Sequence, residues 1–172
     1  MYLSPEQKEK LENIYQSFLN DEKILKMKEF SMHRGSNCYE HTFKVVKRAI
    51  RHVGRSTKKN INPEVVLIGA ILHDYYLYDW RVDRSKLKGH AKNHVQIALE
   101  NASKDFNISP EIKEVIGTHM WPINIRNYPK SREAKIVSIS DKMVALCEAL
   151  TSKRYKNKKR EKYLSYISKL FD

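Results

Sequence analysis

Cysteine is scarce. Cys38 and Cys147 are the only two, far apart and without a Cys-x-x-Cys pair, which excludes a disulfide framework and a zinc finger. Both are expected as small buried apolar residues of a reduced protein. Glycine and proline number five each, too few for an all-β chain that needs many tight turns. No stretch approaches the roughly 18 uninterrupted apolar residues of a membrane span. The opening MYLSPEQKEKLENIYQ lacks the apolar run of a secretory signal, so a cytoplasmic protein with no membrane association is expected. Acidic side chains are also in short supply: 20 stand against 33 Lys and Arg, a net charge of +13. That excess points to anionic partners, a phosphorylated small molecule, nucleic acid or a membrane surface, and says nothing about fold.

What is present is apolar content and helical spacing. Hydrophobic residues make up 41% of the 172, enough for a real core. No repeat, low-complexity tract or Ser/Pro/Gly linker divides the chain. Ser4-Pro5-Glu6-Gln7 carries a cap and an N-terminal proline, and Leu11, Ile14, Tyr15, Phe18 and Leu19 follow at helical spacing. Further helices are expected over about 21–30, from Asn37 or Cys38 to Val53, from Asn62-Pro63 through VVLIGAIL, and over about 92–106, 110–118, 132–150 and 157–170. By periodicity alone VVLIGAIL suits a buried strand equally well. Pro63 at a favourable first-turn position and the helical neighbours decide for a central buried helix. The expected fold is all-α and single-domain: an N-terminal helical extension over 1–29, a helical bundle over 30–150, and a basic C-terminal helix within 151–172.

Histidine carries the chemistry. His41, His73-Asp74, His90, His94, His119 and Asp141 sit at helix ends or beside them. Imidazole and carboxylate together suit a divalent transition metal, provided several converge on one point. An antiparallel bundle can bring helix ends together in that way. His73-Asp74 ends the most apolar segment of the chain, where burial demands that both groups be satisfied. Coordination does that; C-capping by His73 is the structural alternative. Asp141 interrupts the apolar helix AKIVSISDKMVALCEAL, and its alternative is a salt bridge with Lys142 or an arginine. His33 and His52 read as surface residues.

The ordered set His41, His73-Asp74 and Asp141, within YEHTFKVV, AILHDYYLYDW and IVSISDKMVAL, resembles the HD-domain metal-dependent phosphohydrolases. The likeness covers roughly residues 30 to 150. It extends to His94 and His119, which match extra histidines of binuclear members, and to a His-Met-Trp-Pro stretch similar to that of small bacterial HD proteins. The resemblance implies an all-α, HD-type helical bundle that holds one or two divalent transition-metal ions, Fe or Mn foremost, with Mg, Ni, Co and Zn as alternatives. His41, His73, Asp74 and Asp141 would hold the first ion. Asp74 would bridge to a second ion completed by His94 and His119, with His90 a further ligand or a substrate contact. The implied reaction is hydrolysis of a phosphate ester or anhydride of a nucleotide or other small phosphorylated substrate, with Asp74 serving the metal-activated water. Two departures separate the chain from well-known relatives. Tyr75, Tyr76 and Leu77 replace a common Ile/Leu-Gly-Lys, and no Glu-Asp pair of the guanosine-tetraphosphate hydrolase type follows His73-Asp74.

Substrate-binding candidates are Arg34, in a loop with Gly35 and Ser36, and Lys142, directly after Asp141. Lys44, Arg81 and Lys92 are further cations. Trp80 and Trp121 follow presumed ligands in loops and could stack on a base, as could Tyr75, Tyr76 and Tyr78, unless these aromatics are core or lid packing. Charge is uneven: residues 43–60 hold seven basic side chains and no acid, and residues 151–172 carry a net +6 with Tyr155, Tyr163 and Tyr166 interspersed. The rival expectation is therefore a non-catalytic nucleic-acid-binding helical module that uses this basic surface. No motif for sequence-specific recognition accompanies it. The oligomeric state is not legible.

Overall fold

The computed structural model describes residues 3–32, 36–57, 60–79 and 90–151. Over these the chain is all-α, with seven α-helices and one isolated antiparallel bridge. Helix α1 spans Pro5–Leu19 and starts as its sequence dictates. The Ser4 hydroxyl accepts from the Gln7 N–H while the Gln7 side chain accepts from the Ser4 N–H, a reciprocal capping box. The helical segment expected over about 21–30 is a four-residue α2, Glu22–Leu25, running into a 3-10 turn at Lys26–Glu29. Ile24 of α2 and Met27 of the 3-10 turn are both fully buried.

Ser31 and Asn37 pair in the isolated antiparallel bridge. The Asn37 side chain then caps α3, Cys38–Arg55, by accepting from the Glu40 N–H. Asn62 caps α4, Pro63–Leu72, in the same way. This helix is apolar on every side, and α1, α3 and the later helices Pro110–Thr118 and Arg132–Thr151 all pack against it, leaving only Ile68 of its apolar run half-buried. Helix α5 spans His90–Asp105, α6 spans Pro110–Thr118 and α7 spans Arg132–Thr151. Beyond Thr151, the expected basic C-terminal helix lies outside the described residues.

Two features of this core set the positions of the helix ends. At Gly69 of α4, an added Cβ would stand 2.6 Å from Val115 Cγ1 of α6, so the missing side chain is what lets the two helices approach. After α4, Tyr75 and Tyr76 turn inward and are fully buried, which makes them core residues rather than base-stacking ones. The Tyr75 hydroxyl donates to Asp105 Oδ2 at 2.9 Å, and the Asn101 amide donates to the Tyr75 and Tyr76 carbonyls at 3.2 Å each. Helix α5 thus holds the turn that carries His73 and Asp74.

Candidate metal centre

Five helices deliver the six residues to one place. His41 lies in the first turn of α3, His73 is the C-cap of α4 with Asp74 next to it, His94 is near the start of α5, His119 is the C-cap of α6, and Asp141 sits midway along α7. None is more than 5% exposed. One ligand atom each from His41, His73, Asp74 and Asp141 lies within 4.8 Å of the others, and the same holds for Asp74, His94 and His119. Asp74 belongs to both groups and divides its oxygens between them. Its Oδ2 faces His73 Nε2 at 3.1 Å and His41 Nε2 at 3.9 Å, while its Oδ1 faces His94 Nε2 and His119 Nε2 at 3.5 Å each.

Local structure sets which nitrogen each ring presents. His73 Nδ1–H donates to the Ala70 carbonyl at 2.7 Å, and His119 Nδ1–H donates to the Ile116 carbonyl at 2.8 Å. Each ring caps its own helix by satisfying an orphan carbonyl three residues back. The bond leaves the Nε2 lone pair directed into the centre. Capping and ligation are therefore one arrangement in His73, not rivals. His41 is held over a longer range: its Nδ1–H donates to Glu148 Oε2 at 2.8 Å, with Nε2 3.0 Å from Asp141 Oδ1. An imidazole whose outer N–H is tied to a carboxylate or carbonyl is the usual support of a metal-ligating histidine.

Such an arrangement is unfavourable without positive charge at its middle. His73 Nε2 and Asp74 Oδ1 are buried with no hydrogen-bond partner, and the Nε2 atoms of His94 and His119 stand 3.1 Å apart. Burial pulls the His41 ring toward neutrality, but its bonds to Asp141 and Glu148 outweigh this and push its pKa up to about 10. His73 is shifted upward too, burial being overcome by the Asp74 carboxylate. Burial opposes ionisation of Asp74 and Asp141 as well, yet their imidazole neighbours, together with Lys142 beside Asp141, hold both carboxyls well below the usual range. Protons collect where a cation is wanted. Four imidazoles and two carboxylates fit one or two divalent transition metals, which satisfy all these lone pairs together.

Glu148 is the functional residue that sequence reasoning missed. It follows Asp141 by seven residues, two helical turns, and so shares its face of α7; that spacing was the available signal. Its pKa is lowered to about 2, because burial is outweighed by the His41 and Lys44 cations, and Lys44 Nζ donates to its Oε1 at 2.8 Å. Glu148→Ala is expected to weaken metal binding about 10- to 100-fold in a competition titration against a chromophoric chelator. Glu148→Gln, which keeps an acceptor for the Nδ1–H, should lose less. Equal losses would show that the hydrogen bond is not what orients His41.

The remaining candidates are placed unevenly. Lys142 reaches the centre, but its ammonium is bonded to Asp141 Oδ2 and donates to the His119 carbonyl at 3.1 Å, so it ties α7 to the end of α6. The ion pair with Asp141 that the sequence left open is thus formed. Trp121 is half-buried and stacks edge-on to Tyr128, ring centroids 5.4 Å apart, while its carbonyl accepts from Ser138. Arg34, Trp80 and the side chain of His90 lie outside the described residues.

A family model described as HD domain matches residues 38–146, more than half of the chain and a span that contains all six ligand candidates. No curated protein and no solved structure matches.

Proposed function

The chain belongs to the HD-domain family, whose members are mostly metal-dependent hydrolases, and we propose that it hydrolyses a phosphate ester or anhydride of a nucleotide or other small phosphorylated molecule. The observation that carries this reading is the division of Asp74 between two imidazole groups. One ion would be held by His41, His73, Asp74 and Asp141, and a second by Asp74, His94 and His119. Ions bound there supply Lewis acidity, lowering the pKa of coordinated water from 15.7 to about 7 and polarising a phosphoryl oxygen.

The chain's own residues prepare that chemistry. The Nδ1–H bonds of His41, His73 and His119 hold three rings in a single tautomer. Lys142 and Lys44 place positive charge against the outer oxygens of Asp141 and Glu148, which limits self-repulsion of the buried carboxylates. Cys38 is no nucleophile: its thiol donates to the Asp74 carbonyl at 3.2 Å, and burial raises its pKa well above the usual thiol value. This supports attack by water rather than a covalent enzyme intermediate.

The test is a panel of nucleotides and simple phosphoesters assayed with Fe, Mn, Co, Ni, Zn and Mg, alongside elemental analysis of the purified protein. Hydrolysis should require a divalent ion, vanish with excess chelator and return on adding the ion back. Metal content equal to that of a control protein after reconstitution, with no turnover of any substrate, would defeat the reading.

A further inference from the structure

The face of α3 that presents His41 does not end at the metal centre. At about 100° per residue, His41, Lys44, Arg48, Arg51, His52 and Arg55 fall within about one third of the helix circumference. Lys44, His52 and Arg55 are exposed and Arg48 and Arg51 half-buried. Together the cations run about 16 Å along the axis from Lys44 to Arg55. Near the C-terminal end, Arg48, Arg51, His52, Arg55 and Ser56 line a cleft of about 240 Å³.

Stability accounts for only part of this row. Lys44 is paired with Glu148 of α7, and cations favour the last turn of a helix, which covers His52 and Arg55 but not Arg48 further up. Like charges three and four residues apart repel, and residues 43–60 include no acid to interleave with them. Guanidinium forks suit paired oxygens of phosphate, and a straight row repeating once per helical turn suits a ligand whose anionic groups recur at regular steps. No Phe, Tyr or Trp lines the cleft among the described residues, so it has no platform on which to stack a base.

We propose that this face of α3 is a binding track for the phosphodiester backbone of a nucleic-acid strand, independent of base sequence and of metal. Its near end, Lys44, lies one helical turn from His41. The track stands apart from the hydrolase reading and is tested with chelator in excess, so the failure of one leaves the other intact.

The experiment measures binding of a mixed-sequence single-stranded RNA of about 20 nucleotides across a salt series, with duplex DNA of equal length and poly-glutamate in parallel. Affinity should fall steeply with salt, by about 0.7 log units per log unit of salt for each phosphate engaged. Arg48→Ala/Arg51→Ala/Arg55→Ala should reduce that slope by about 2 and weaken binding at least about tenfold at low salt. A charge-matched control, Lys104→Ala/Lys113→Ala/Lys130→Ala, should leave both unchanged. On the unaltered chain, bound RNA should shield Lys44 and Lys47 from amine acetylation while Lys104 and Lys113 react as before, a readout that does not depend on the triple variant folding. Tighter binding of duplex than of RNA would still support the track and would name the strand form. Equal weakening by both triple variants, unaltered binding by the α3 variant, no shielding, or poly-glutamate bound as tightly as nucleic acid would each overturn it.

Discussion

Asp74→Asn should abolish metal-dependent hydrolysis, leaving the rate at that of the chelated parent, and should remove the effect of metal on thermal stability. Asn matches Asp in volume but has one carbonyl oxygen and one amide where Asp74 turns Oδ2 toward His41 and His73 and Oδ1 toward His94 and His119. Both proposed ion positions lose the same negative charge in one substitution. For the parent, an ion at a hundred times its Kd stabilises the fold by about 2.7 kcal/mol. In a chain of this length that raises the Tm by roughly 5–10 °C. Differential scanning fluorimetry with and without Mn should show that rise in the parent and none in Asp74→Asn. A variant that still gains the full shift would remove Asp74 from the ligand set. A variant that loses the shift but retains turnover would separate the reaction from the metal.

Gly69→Ala should be nearly as damaging, from a position that is not itself a candidate ligand. The new Cβ meets Val115 Cγ1 at 2.6 Å and Val115 Cβ at 2.9 Å, too close for either helix to accommodate without moving. Overpacking of this kind costs about 1–3 kcal/mol, or roughly 2–12 °C in Tm. His73 caps the end of α4 and His119 the end of α6, so forcing the helices apart also separates two imidazoles, and metal affinity should fall with stability. Adding Val115→Ala to Gly69→Ala should recover part of both losses. Val115→Ala alone should destabilise by opening a cavity, which makes the pair strongly non-additive. If the double variant is as unstable as the sum of the singles, the close approach of α4 and α6 is not the cause.

The helices were largely legible because their signals are local. Ser109-Pro110 and Asn62-Pro63 are caps followed by first-turn prolines, and they open α6 and α4. The apolar run VVLIGAIL is buried except for the half-buried Ile68, as a helix with no polar face must largely be. The helical segment expected over 21–30 is present, but a run of charged residues with apolar ones at three-residue spacing fits an α-helix and a 3-10 turn alike, so its form was not legible. Tyr75 and Tyr76 could not be assigned either, since an aromatic after a helix end faces the core or the site according to what packs over it, here α5.

Residue types and their order along the chain determined by themselves that this protein is all-α, that it belongs with the HD domains, and which imidazoles and carboxylates were available to meet. Tertiary structure alone decided how they meet: that the Asp74 oxygens are divided between two sets of rings, that Glu148 rather than a neighbour of His41 holds its outer N–H, and that Lys142 turns to Asp141. The reason is one of range. Caps and apolar periodicity act within a turn or two of helix, whereas His41 and Glu148 are 107 residues apart, and no local pattern records which distant side chain packing will bring to a given lone pair.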